Sequence, residues 1–277
     1  MTVVLGLLAA VCYGVSDFGG GFASRRFNSV TILLYSYPVG AVLMAVMMPF
    51  FGGSASTRVV LFGVLGGVAG LLGVTVMYQL MVTAPMNVIS PVTAVLAATV
   101  PIIVGVTIGE RPALAAWVGI ALGLIAVVLV SRTTPEHPHG VIALRVLLLA
   151  ALAGLGFGLY FVFLARAGQD SGLWPLLISR VSSALLILPI AAVRRAFARV
   201  TGTTLAIALV AGACDALANM FFLLASRHGL LSLASVLTSL YPAVTVLLAI
   251  VLLREHVSRV QLGGLILAGA SVVLITI

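Results

Sequence analysis

The chain has 277 residues, 62% of them hydrophobic and 7% charged, with six acids, 14 bases and a formal net charge of +8. Soluble domains carry about 25% charged residues, so a water-soluble fold is excluded and a polytopic membrane protein is expected. Every base is Arg, and these sit singly or in pairs between apolar stretches; that excludes the clustered basic face of a nucleic-acid binder and suits anchoring at lipid headgroups.

A membrane helix needs about 20 apolar residues. In chain order the expected spans are 3–24, 29–50, 59–82, 87–108, 113–131, 144–166, 173–193, 203–226, 230–253 and 260–277. The first begins almost at Met1 with no basic stretch ahead of it, so it reads as a retained helix rather than a cleaved signal peptide. Arg25-Arg26, Arg58, Glu110-Arg111-Pro112, Arg166, Arg194-Arg195 and Arg254-Glu255 mark turns. The longest loop, 132–143, separates five spans from five.

The two halves are related. Adding 145 to the numbers of Met86–Val130 aligns that stretch with Leu231–Ile275 without a gap. Ser90 then falls on Ser235, Thr93 on Thr238, Glu110 on Glu255 and Gly119 on Gly264. Five is odd, so consecutive five-span units cross the membrane in opposite senses, which is the inverted repeat on which many transporters are built. The expected fold class is an all-α integral membrane protein: ten transmembrane helices as two inverted five-helix repeats around a central cavity. Residues 1–131 form the first repeat, 132–143 the connection and 144–277 the second repeat. The pairs Gly66/Gly70, Gly119/Gly123 and Gly154/Gly158 let helices approach closely. Cys12 and Cys214 read as small core residues.

Neither a Walker A sequence nor a dinucleotide fingerprint appears, and no metal-ligand spacing or nucleophile–base motif is present. No cofactor and no metal are therefore expected, and transport, if any, is secondary or facilitative. Ionisable groups at membrane depth are costly and face a bundle interior or cavity. Three stand out: Asp17 in span 1, Arg180 in span 7 and Asp215 in span 8. Rise along the spans puts Arg180 and Asp215 at similar depth, so they are expected to form a structural ion pair, leaving Asp17 the freer carboxylate. Either all three are satisfied structurally, or Asp17 or Asp215 takes a cationic group or a coupling proton. Tyr13, Ser16, Tyr78, Gln79, Ser90, Thr93, Tyr160, Asn219, Thr238 and Tyr241 are further candidates for lining a pocket, since small-molecule sites are mostly apolar with a few polar groups and aromatics. Each hydroxyl has the plainer alternative of bonding back to its own helix. Pro101 and Pro242 are expected kinks in spans 4 and 9. Glu110 and Glu255, each beside an Arg, are expected to form interfacial ion pairs that cap their spans.

Several stretches carry a family resemblance: Ser239-Leu240-Tyr241-Pro242, Arg254-Glu255-His256 with the Gly-rich last span, Gly109-Glu110-Arg111-Pro112, and Tyr13-Gly14-Val15-Ser16-Asp17-Phe18. The chain resembles the EamA-type ten-helix members of the drug/metabolite transporter superfamily over essentially its whole length. It departs in having Ala97 where the family has Pro, with Pro101 one turn on. The resemblance implies a basket of helices with spans 1, 3, 4, 6, 8 and 9 lining the cavity, and cytoplasmic termini. The Arg distribution alone points the other way: Arg25, Arg26, Arg132, Arg145, Arg194, Arg195, Arg199, Arg254 and Arg259 outnumber Arg58, Arg111, Arg166 and Arg227 on the side of the termini, which would put the termini outside. The expected function is export of small metabolites, most of all amino acids, across a bacterial inner membrane by alternating access; the alternative is proton-coupled export of cationic drugs. The expected partners are the lipid bilayer and a small-molecule substrate, with no nucleic acid, the protein being a monomer or weak homodimer.

Overall fold

The computed structural model describes residues 1–24, 26–83, 86–130, 144–253 and 258–276, and the side chains among these except at 81–83, 86–91, 246, 249–253 and 276. The described residues are all-helical, as lipid requires of an open chain: with no water to bond to, each backbone N–H and C=O must find a partner within its own segment. Eleven α-helices are described: α1 Thr2–Ser24, α2 Ser29–Met47, α3 Thr57–Thr83, α4 Met86–Thr107, α5 Leu114–Val130, α6 Leu144–Arg166, α7 Trp174–Val193, α8 Gly202–His228, α9 Leu231–Thr238, α10 Tyr241–Leu253 and α11 Arg259–Thr276. Six are long and apolar enough to cross a membrane, namely α1, α2, α3, α6, α7 and α8, and the rest include shorter apolar helices.

Local chemistry sets the boundaries. Asn28 starts α2 by accepting the Val30 N–H at 2.9 Å, satisfying one of the orphan donors of a first turn. Pro175 opens the first turn of α7, where its missing N–H costs nothing. Gly109 ends α4 at φ 103°. The Glu110 N–H then returns to the Gly105 carbonyl at 2.9 Å and the Gly109 N–H to Val106 at 3.1 Å, the two bonds of a Schellman stop.

The expected ninth span, 230–253, is not one helix but two. α9 stops at Thr238 and α10 starts at Tyr241. Pro242 has no N–H to offer the Thr238 carbonyl and its ring crowds that carbonyl, so the helix breaks at Ser239-Leu240 and restarts with the proline in its first turn. Pro101, by contrast, lies inside the continuous α4.

The helices interleave across the two halves of the sequence. α1 packs against α8, α9 and α10, and α6 packs against α3 and α4; α2 lies on α7 and α8, α3 on α7, α4 on α9, and α5 on α11. Small residues sit at the closest approaches. A Cβ on Gly154 would meet the Thr93 carbonyl at 2.7 Å, and one on Gly158 would meet Val100 at 2.6 Å, so this pair seats α6 on α4. Gly119 does the same for α5 against Ile275 and Ser271 of α11. The outer surface is apolar: Leu61, Leu148, Leu185 and Ile266 are exposed, as lipid-facing residues are.

Glu110 departs from expectation. Its carboxylate accepts the N–H groups of Leu231 at 2.5 Å and Ser232 at 3.1 Å, capping the first turn of α9 in the other half. Gly105 makes room, because a Cβ there would run into the Glu110 carboxylate. Arg111 donates to the Glu110 backbone carbonyl at 3.1 Å rather than to its side chain. A carboxylate at a helix N-terminus gains from two orphan donors and from the helix dipole together, which an exposed Arg beside it does not match. Glu255 lies outside the described residues.

Candidate functional site

A cavity runs into the middle of the bundle, with about 960 Å³ of empty space, part of it open to solvent. Of the residues singled out from sequence, Tyr13, Ser16, Asp17, Tyr78, Tyr160, Arg180, Asp215, Asn219, Thr238 and Tyr241 all border it. The Ser90 side chain is outside the described residues. Thr93 does not border the cavity; it is buried and donates to the Ala150 carbonyl of α6 at 3.4 Å. Gln79 does not border it either: with its amide turned to satisfy both groups, its oxygen accepts from Arg194 Nη1 at 2.6 Å.

The walls come from more helices than the family resemblance implies. α2 contributes Ile32, Leu33, Ser36 and Tyr37, and α7 contributes Ser179, Arg180 and Ser183. Tyr37 is the main residue missed. It shares its apolar span with Tyr35, and no repeat partner or charge marks it out. The signal that was available is the Ser36-Tyr37 pair immediately before Pro38, polar groups at depth beside a proline.

The charged part of the site is compact. Arg180 Nη1 is 2.5 Å from Asp215 Oδ2, and the guanidinium lies over the Tyr37 ring with its carbon 5.6 Å from the centroid. The Arg180 side chain is 6% exposed and that of Asp215 33%, so the acid faces the cavity and the base stands behind it. Asn219, one turn beyond Asp215 on α8, donates from Nδ2 to the Asp215 carbonyl at 2.6 Å and lies 3.5 Å from its carboxylate. Tyr13 of α1 donates its hydroxyl to Asn219 Oδ1. Ser16 donates to the Ala211 carbonyl at 2.9 Å. A chain of polar contacts therefore links α1, α8 and α7.

Asp17 stands apart. It borders the cavity one helical turn from Tyr13 and is half-buried, and among the described residues it has neither an ion-pair partner nor a hydrogen bond. Around it and the Arg180–Asp215 pair the walls are aromatic. Tyr13 lies 6.2 Å from Tyr241 and 6.1 Å from Phe161, Tyr160 lies 5.9 Å from Phe161, and Phe161 stacks on Phe222 at 4.2 Å. Two tyrosines are admitted by missing side chains. A Cβ on Gly20 would run into the Tyr78 hydroxyl, and one on Gly70 would come within 3.1 Å of the Tyr160 ring.

The cavity is not centred along the helices. The residues of α2 that border it lie in its first three turns, and Gly20 lies in the last turns of α1. At the opposite ends, Leu5, Met44, Leu173, Leu176, Leu223 and Leu231 are buried in one apolar cluster. That cluster plugs the bundle at the side of the termini.

The arrangement offers an anionic oxygen, an aromatic box and an apolar floor, which suits a small organic solute bearing a positive group. A solved crystal structure, described only as that of a protein, superposes on the chain with a TM-score of 0.79 at 15% identity, over 99% of this chain and 95% of the other. At that identity the likeness speaks for the fold. No curated protein matches the chain. The family model described as the EamA-like transporter family matches residues 1–132 and again 144–277. The chain thus belongs to the EamA-like transporter family, within the drug/metabolite transporter superfamily, and is a multi-pass membrane protein of transporter type.

Proposed function

We propose that this protein is a secondary transporter that exports small amine-bearing metabolites by alternating access, amino acids first among them, across a bacterial inner membrane. The observation that carries the substrate reading is Asp17, a carboxylate without an ion-pair partner among the described residues, facing a cavity walled by tyrosines. An ammonium group seated there gains from the carboxylate and from the faces of neighbouring rings. Alternating access follows from ten spans in two inverted halves, and the packing pattern supports that reading. Exchange α1 with α6, α2 with α7, α3 with α8, α4 with the α9–α10 pair and α5 with α11, and the principal helix contacts map onto one another. The apolar plug at one end and the cavity at the other are what one of two alternating states requires.

A second reading, proton-coupled export of organic cations, is favoured by one further observation. Arg180 is already held by Asp215, so the formal charges of Asp17, Arg180 and Asp215 around the cavity sum to minus one. A monocation balances that charge without a second site for a carboxylate.

Reconstitution in liposomes separates the two. Labelled amino acids and a cationic dye are offered with and without a pH gradient. Amino-acid flux without dye flux supports the first reading, and gradient-driven dye flux the second. Asp17→Asn is expected to lower transport of the accepted solute roughly tenfold to hundredfold, the scale of one charged hydrogen bond. Unchanged flux in this variant would remove the basis of both.

A further inference from the structure

Among the described residues, three that border the cavity carry a buried polar atom without a hydrogen bond: Tyr160 of α6, Arg180 of α7 and Thr238 of α9. The Tyr160 hydroxyl and the Arg180 Nε are both buried and without a hydrogen bond, in residues only 6% and 5% exposed. Arg180 spends an Nη on Asp215, and the Tyr160 ring lies close against α3 at Gly70, where a Cβ would come within 3.1 Å of it. A buried donor left unmade costs about 1–3 kcal/mol, and native proteins leave few such groups without reason. Both groups are donors that seek an acceptor, and both border the same space as the acceptor Asp17.

Resting on the amine reading above, we infer that the cavity recognises a second group on its solute, a carbonyl oxygen near the amine, and that Tyr160, with Arg180 Nε, is the residue that selects for it. The carbonyl of a carboxylate, an amide or an ester has the same acceptor geometry. The charges then differ: the amide or ester of an amino acid carries the single positive charge that the cavity balances, whereas the amino acid itself is neutral. A site built to hydrogen-bond a substrate group discriminates strongly against analogues lacking it, because its buried donors are then left unsatisfied.

The test uses matched trios in the full-length reconstituted protein: an amino acid, its amide and the decarboxylated amine, for the side chains of leucine, phenylalanine and serine. Each is measured as a competitor of the transported solute. The two carbonyl-bearing members are expected to compete about tenfold better than the bare amine, and Tyr160→Phe to close that gap by weakening them more than it weakens the amine. If only the amide outcompetes the amine, the neutral carbonyl is the preferred form; if the amino acid does as well, either form is accepted. Because the hydroxyl makes no hydrogen bond and has only the Ser179 side chain beside it, Tyr160→Phe is expected to leave the thermal midpoint little changed. The inference fails if the bare amine competes as well as the carbonyl compounds in the wild type, or if Tyr160→Phe weakens all three alike; water alone then satisfies the hydroxyl. Asp17→Asn separates this from failure of the amine reading. If it leaves all three members unaffected, the amine site is wrong, whatever Tyr160 does.

Discussion

At the residue scale, the site turns on how a buried base is kept. Arg180 sits behind Asp215, over Tyr37 and beside Gly40, where a Cβ would come within 3.3 Å of its side chain. Removing one partner of a buried pair leaves an uncompensated charge, whereas removing both often costs little. Arg180→Met is therefore expected to destabilise the protein by about 3 kcal/mol, at the low end of that effect because the Asp215 carboxylate keeps contact with the cavity. The double variant Arg180→Met/Asp215→Leu is expected to regain much of that loss in detergent unfolding. A double variant no more stable than the single would show that the pair is not the unit. Asp17, Arg180 and Asp215 were legible in the sequence because an ionisable residue in an apolar span has few places to go. The partners of Arg180 were less so. Asp215 follows from depth along the helix, but Tyr37 on a third helix needs the packing of α2 against α7 and α8, which no local pattern encodes.

At the element scale, what holds the ends of the shorter helices matters most. α9 is eight residues long, too short to be stable alone. Its first turn is finished by Glu110, from a segment 121 residues earlier in the chain. Glu110→Ala is expected to cost about 1–2 kcal/mol, as loss of a helix cap does, and Glu110→Gln about half as much because one acceptor remains. Equal unfolding midpoints for wild type and Glu110→Ala would argue against the cap. The repeated Glu stood out in sequence, but its neighbouring Arg drew the wrong pairing. Adjacency in the chain is visible, whereas the approach of α9 to the end of α4 is a tertiary fact. The split of the ninth span has a local cause in Pro242, yet a proline at depth is compatible with a kink, a break or a continuous helix. Pro101 in α4 illustrates the last.

At the scale of the whole molecule, composition carried most of the result. With so few charges for its length the chain had to lie in lipid, and an open chain in lipid has to be helical. The direction in which the cavity faces was not legible, since apolar residues fill both the plug and the walls. Ser36 borders the cavity while Leu176 is sealed in the apolar cluster. Without solute, a cysteine at Ser36 is expected to react with a membrane-impermeant maleimide faster than one at Leu176. Applied to intact cells, the same reagent tells which compartment the open end meets, and so where the termini lie. Equal rates would contradict a one-sided opening.

The interleaved packing has a consequence for what counts as a unit. The principal neighbours of α1 all lie beyond residue 143, and those of α6 all lie before residue 131. Neither half of the sequence possesses an interior of its own. Each is a set of grooves whose filling is carried by the other. Two pieces divided between α5 and α6 and expressed as separate chains are therefore expected to associate through the contacts described between α1 and α8, α3 and α6, and α5 and α11, and to do so more readily when joined, since a tether raises local concentration.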